Sequence, residues 1–201
     1  MVTRKEREIE FRESLIIDAA EKLFTDNGFE NTKMEDIAKE ADYTKPTLYK
    51  YFSCKEDIML AVYTRGRNTS YDLILHAIGN DDTGFAKLVT IAKVYNEFFS
   101  THPIYFSLMK YVHSKGINLL ETNPEKKKIF DEERKERLGV FKMIIEKGQK
   151  DKSIVPDIES ELAVEYFLNN LYINMHTFQN KEDVKADFLT KATKLMMKVF
   201  K

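Results

Sequence analysis

No stretch of this chain alternates apolar and polar residues for more than a few positions. Apolar residues instead recur at three- and four-residue spacings almost throughout. Only seven Gly and four Pro punctuate 201 residues, and most fall between the periodic segments. That pattern predicts an all-α fold of about nine helices. The 43% hydrophobic fraction, with 14 Phe and 10 Tyr, is too high for a disordered chain and sufficient for a packed core. A single Cys rules out an intrachain disulfide and suits a reducing compartment. No apolar run approaches the ~18 residues that span a bilayer. Met1 is followed by Val-Thr-Arg-Lys-Glu-Arg-Glu rather than an apolar signal segment. The expectation is a cytoplasmic protein with no membrane partner.

The first helical face reads Phe11, Leu15, Ile16, Ala19, Ala20, Leu23 and Phe24. It stops at Asp26-Asn27-Gly28. Thr32 to Glu35 has capping-box spacing and opens a short helix through Ile37, Ala38 and Ala41. After a turn at Asp42-Tyr43, Thr44 caps the next helix, with Pro46 tolerated in its first turn. Ser53 to Glu56 is a second box, opening a helix from Cys54 to Ile78. Further helices are expected over residues 85–100, 104–112, 125–148, 157–178 and 181–200, with an irregular stretch over 115–124.

Short helix, turn and short helix is the spacing of a helix-turn-helix, which presents its second helix to the DNA major groove. Stepping about 100° per residue from Thr44 puts Leu48 and Phe52 on one side and Lys50 on the other. Pro46 and Thr47 flank Lys50, and Tyr49 lies further round. Residues 1–60 hold ten Lys/Arg and fourteen Asp/Glu, yet residues 43–55 hold Lys45, Lys50 and Lys55 with no acid. A polyanion responds to charge within about a Debye length, ~8–10 Å, so the net charge of −1 does not exclude nucleic acid. Three lysines alone would be an ordinary solvated face. Tyr43, Tyr49 and Tyr51 cannot all enter so small a core, and that favours a partner.

Residues 12–62 resemble the DNA-binding domain of the tetracycline-repressor (TetR) family. The resemblance rests on Ile16-Ile17-Asp18-Ala19-Ala20, Leu23-Phe24, Gly28-Phe29, Thr32, Ile37-Ala38, Ala41, Thr47-Leu48-Tyr49, Phe52 and Lys55-Glu56. It implies that Thr44, Lys45, Pro46, Thr47 and Tyr49 occupy the recognition-helix contact positions, to which the outward direction of Lys50 adds a further DNA-facing candidate. Tyr51 and Lys55 then meet phosphates, and Lys33 stands where a Thr usually contacts the backbone. Asp42, Tyr43 and Pro46 replace a common Gly, Val and Gly. Glu35 is assigned capping and no base contact. The implied organisation is a DNA-binding domain over residues 1–53 and a ligand-binding and dimerisation domain over 54–201. The implied partners are a pseudo-palindromic DNA operator, a second copy through the last two helices, and a small-molecule effector.

The segment 157–178 is apolar on more than one side, which leaves a face for a second buried surface. The last helix shows a stripe of Val184, Phe188, Ala192, Leu195, Met196 and Val199. Between them, Tyr95, Phe98, Phe99, Phe106, Met109, Phe130, Phe141, Met143 and Tyr166 are ordinary core by spacing. The resemblance places an apolar effector site among such residues, with Tyr95, Phe98, Phe99, Phe106, Met109, Phe141 and Tyr166 as candidates. No phosphate loop, nucleophile motif or metal-ligand spacing occurs, so neither a catalytic residue nor a metal or cofactor is expected. His76, His102, His113 and His176 are scattered. Cys54, beside Lys55 at a helix start, is expected to have a lowered pKa, which would suit a redox sensor; a small residue at a capping position explains it equally well. Gly66 and Gly139 mark a close contact or a kink. The reading is a ligand-responsive DNA-binding regulator, most simply a repressor. A helix-turn-helix module without an effector, or an enzyme on a helical bundle, is the alternative.

Overall fold

The computed structural model describes residues 3–79, 83–121, 124–178 and 185–201. Among them it holds nine α-helices and no strand. The helices are α1 (Arg4–Asn27), α2 (Met34–Glu40), α3 (Lys45–Leu48), α4 (Lys55–Ala77), α5 (Gly84–Thr101), α6 (Pro103–Glu121), α7 (Pro124–Lys150), α8 (Ser160–Phe178) and α9 (Lys185–Met196). A 3-10 turn, Met197–Phe200, follows α9. The chain forms two compact units. One is Met1–Thr69 with His102–Thr122; the other is Ser70–Thr101 with Asn123–Lys201.

In the first unit, α1 starts earlier than its apolar pattern. Thr3 and Glu6 form a capping box, the Thr3 amide donating to Glu6 Oε2 at 2.7 Å and the Glu6 amide to Thr3 Oγ1 at 3.2 Å. Ile16, Ala19, Ala20 and Phe24 are buried, whereas Phe11 is 63% exposed and Leu15 is also exposed. Leu15 lies about 115° and Phe11 about 155° round the helix from the centre of the buried stripe, so the expected inward face was too wide at its start.

The cap of α2 also differs from expectation. Thr32 is buried, and its hydroxyl donates to the Gly28 carbonyl at 2.9 Å, closing the loop after α1. Lys33 is the N-cap residue, and its amide donates to Asp36 Oδ2 at 3.0 Å. Asp36, not Glu35, is therefore the capping acid. At α4 the acid is Asp57 rather than Glu56. Both the Ser53 amide and hydroxyl donate to it.

The α2–α3 turn is as the sequence requires. Asp42 takes the left-handed conformation, φ 57°, and the Tyr43 amide donates to the Ala38 carbonyl at 2.8 Å. Ile37, Leu48, Phe52, Ile58 and Val62 are buried.

Helix α6 runs through residues 113–121, where the sequence suggested a stop and an irregular stretch. One Gly is not enough to end a helix in that segment. Within the first unit it reaches α1 and α4. The buried Tyr105 hydroxyl donates to Glu21 Oε1 at 2.5 Å, and Arg65 pairs with Glu21 and Asp18. Burial and the neighbouring Glu21 hold the Tyr105 hydroxyl well above its ordinary pKa, so it remains a donor. Gly66 supplies the room: a Cβ there would lie 2.2 Å from Tyr105 Cδ1. Gly66 is thus a close contact, while Gly139 faces open space.

The second unit packs α5, α7, α8 and α9 around Leu88, Ile91, Phe141, Ile145, Phe167, Leu171, Met196 and Phe200. α5 meets α7 backbone to backbone, since a Cβ on Gly84 would lie 2.3 Å from Gly148 Cα. Asp151 accepts from the Gly84 amide at 2.9 Å and caps α5. Buried Lys87 donates to the Ile78 carbonyl at 2.6 Å and to that of Gly79, closing the C-terminal end of α4. Along α9 and its 3-10 extension the inward residues are Leu189, Thr193, Met196, Met197 and Phe200. Leu195 and Val199, on the apolar stripe read from the sequence, are exposed at 67% and 46%. Residue 184 and the side chain of Phe188 lie outside the described residues.

Candidate nucleic-acid interface

α3 is a single turn. Thr44 caps it, accepting from the Thr47 amide at 3.4 Å, and the two hydroxyls lie 2.8 Å apart. Leu48 and Phe52 anchor it in the core, and Lys45, Pro46, Tyr49 and Lys50 are exposed. Thr47, Tyr43 and Tyr51 are half-buried, and the rings of Tyr43 and Tyr51 lie 6.5 Å apart. The face therefore offers hydroxyls, a phenol, a Pro ring and ammonium groups to a partner.

The four candidate lysines are not equivalent. Lys45 is paired with Glu35 of α2. That hydrogen bond holds the Glu35 carboxyl below its ordinary pKa and the Lys45 ammonium above its own. Lys55 points inward: its Nζ donates to the carbonyls of Phe29 at 2.7 Å, Thr32 at 2.9 Å and Glu30 at 3.2 Å, and lies 4.3 Å from the Phe29 ring centroid. All three ammonium donors are thereby used. Lys33 and Lys50 are exposed.

Residues 16–62 match the model of the family described as bacterial regulatory proteins, tetR family. This segment is thus a TetR-type DNA-binding segment, and it lies in an all-helical, TetR-like fold. The matched residues span α2, the turn and α3, the helix-turn-helix through which a member of this family binds DNA.

The chain is similar to curated and solved proteins beyond that segment. It is 27% identical to the fatty acid metabolism regulator protein of Bacillus subtilis over 152 residues, 74% of this chain and 73% of that protein. It is 39% identical over 54 residues to the transcriptional activator FasR of Mycolicibacterium smegmatis, 27% of this chain and 25% of that protein. Among solved structures, the fatty acid degradation regulator FadR from Bacillus halodurans has a TM-score of 0.71 at 18% identity, covering 92% of this chain and 94% of that chain. A TetR/AcrR-family regulator from Thermobifida fusca has a TM-score of 0.75 at 17% identity, covering 94% and 98%. These structural likenesses establish the fold.

The other sequence candidates divide by environment. Phe98, Phe99, Phe106, Met109 and Phe141 are buried. Tyr95 and Phe99 have ring centroids 4.6 Å apart, and Phe98 meets Phe99 edge-on at 5.1 Å. Phe106 and Met109 belong to the first unit, and Tyr95, Phe98, Phe99, Phe141 and Tyr166 to the second. Tyr166 is on an outer face beside Phe200, at 5.9 Å. Two surface grooves are lined by Met143, Glu146, Lys147, Lys150 and Asp151, and by Pro124, Lys127, Lys128, Asp131, Glu132 and Lys135; neither includes a candidate. Burial pushes the Cys54 thiol up, helped by the Asp57 and Glu56 charges, which reverses the expected thiolate. The sequence missed the inward course of Lys55, which follows from the carbonyls of Phe29, Glu30 and Thr32 in the turn after α1.

Lys55→Met is expected to remove charge-assisted hydrogen bonds to the α1–α2 loop and to cost about 3 kcal/mol. Thermal unfolding measures this. An unchanged melting curve together with weaker DNA binding would put Lys55 on phosphate instead.

Proposed function

We propose that this regulator is a repressor whose dimer holds a pseudo-palindromic operator and releases it when an apolar small molecule binds the region following the DNA-binding domain. In this reading residues 1–53 form the DNA-binding domain and 54–201 the ligand-binding and dimerisation domain. Thr44, Lys45, Pro46, Thr47, Tyr49 and Lys50 face the major groove, and Lys33 and Tyr51 face phosphates. Lys55 acts by holding the loop that carries Lys33.

The observation that carries the dimer is the exposed stripe of α8 and the chain end. Leu162 is 63% and Ile173 54% exposed, with Tyr166 between them, and Leu195 and Val199 are exposed on the last helix and its 3-10 extension. Large apolar groups at this spacing on two successive elements of one unit fit a second copy of the same stripe. A twofold pair places two recognition helices about 34–36 Å apart, one turn of DNA.

The effector reading rests on the aromatic packing of Tyr95, Phe98 and Phe99 in α5 and on the fatty-acid regulators among the relatives. An aliphatic chain is the chemical match for such apolar packing. The effector must favour the state that does not bind DNA, or it shifts nothing. The test is polarisation of a labelled, selected duplex titrated with fatty acids of increasing chain length and with their thioesters. Release by long chains, absent for acetate, is the expected result. No release and no shift in melting by any of them would refute the apolar effector.

A further inference from the structure

The segment from Tyr43 to Lys55 has no acid in sequence, yet the fold brings one to it. Glu35, from the first turn of α2, places its carboxylate on the Lys45 ammonium. Three features show that this pair does not serve the fold. The cap of α2 is Asp36. The α2–α3 geometry is set by buried Ile37, Leu48 and Phe52 and by the hydrogen bond from the Tyr43 amide to the Ala38 carbonyl. The pair itself is solvated, with side chains 50% and 56% exposed, and an exposed ion pair contributes little to stability. Lys45 is followed directly by Pro46 and lies near Tyr49, groups that face DNA in the reading above.

Resting on that reading, we propose that Glu35 is a specificity-determining residue that acts through Lys45. Each cation given to phosphate releases counterions whatever the base sequence, so a free Lys45 would strengthen binding to all DNA alike. Held by Glu35, Lys45 yields no such gain unless the ion pair is first broken, and the carboxylate repels a phosphate that approaches out of register. On a correctly docked site the pair instead presents a donor and an acceptor side by side. A G·C base pair displays the complement in the major groove, with the acceptors O6 and N7 of guanine and the N4 donor of cytosine. The chemical class recognised is thus a G·C pair in each half-site, contacted by ammonium and carboxylate together.

The experiment compares the wild type, Glu35→Gln, Lys45→Met and the double variant. Each is titrated with salt against a duplex selected by the wild type from a random library and against a random-sequence duplex. Glu35→Gln is expected to raise affinity for the random duplex and to steepen its log–log salt dependence by roughly 0.9 per protomer. The ratio of selected to random affinity should fall about tenfold, the size of one lost base-pair contact. A fresh selection with Glu35→Gln should lose one G·C position per half-site. In the Lys45→Met background the same Glu35 change should leave the random-duplex slope unaltered. The proposal is overturned if Glu35→Gln keeps the wild-type slope and ratio. It is equally overturned if that variant weakens both duplexes alike, or still steepens the slope without Lys45. A wild type that selects no duplex removes the DNA-binding reading as well, so the two failures are told apart.

Discussion

Gly84→Ala is expected to lower the melting temperature by roughly 6–12 °C, from a cost of about 3 kcal/mol in a chain of this size. The added methyl would lie 2.3 Å from both Cα and N of Gly148 and 2.6 Å from the Ile144 carbonyl oxygen. These are backbone atoms of α7, so no side chain can rotate away, and α5 and α7 must separate where they cross. Separation would also strain the Asp151 cap on the Gly84 amide and the bond from the Phe85 amide to Ser153 Oγ, at 3.1 Å. Gly139→Ala is the internal comparison. It sits mid-helix in α7 with nothing within 4 Å of the added carbon, and should stabilise by about 0.5–1 kcal/mol through helix propensity. Calorimetry on the two variants decides the matter. A Gly84→Ala protein that melts at or above the wild type would mean the helices do not cross at these glycines.

The second large effect concerns assembly. Ile173→Glu combined with Leu195→Glu puts two carboxylates into each copy of the exposed apolar stripe, four across a twofold interface. Neither side chain supports the monomer core, since both are more than half exposed. Sedimentation should therefore show a folded monomer in place of a dimer. DNA affinity should fall by about 10²–10⁴, the gain that linking two half-site contacts provides. A dimer that persists with full affinity would place the interface elsewhere.

The helical class and the helix-turn-helix were legible because their signals are local. Asp42 accepts the left-handed turn, Thr44 caps α3, and Leu48 and Phe52 face the core because spacing alone decides those things. What escaped depends on contacts distant in sequence. Lys55 counts as a surface cation until Phe29, Glu30 and Thr32 fold round it. The segment 43–55 counts as free of acid until Glu35 is folded onto Lys45. Thr32 has the spacing of an N-cap, yet its hydroxyl serves the loop after α1, and the cap passes to Lys33, whose amide donates to Asp36. Hydropathy groups Leu195 and Val199 with Met196 on one apolar stripe, and only the packing of α9 shows that Met196 points inward and the other two outward. The role of α6 in the first unit, through Tyr105 and Glu21, had no sequence signal, because it joins residues 84 positions apart.

The most direct test of this regulator as a twofold reader of DNA is a footprint on the fragment that the purified protein enriches from fragmented genomic DNA. Two protected half-sites in inverted orientation should appear, their centres about 10–10.5 base pairs or a whole number of helical turns apart. Protection should weaken steeply with salt. A single asymmetric patch, or enrichment with no common sequence, would contradict the account.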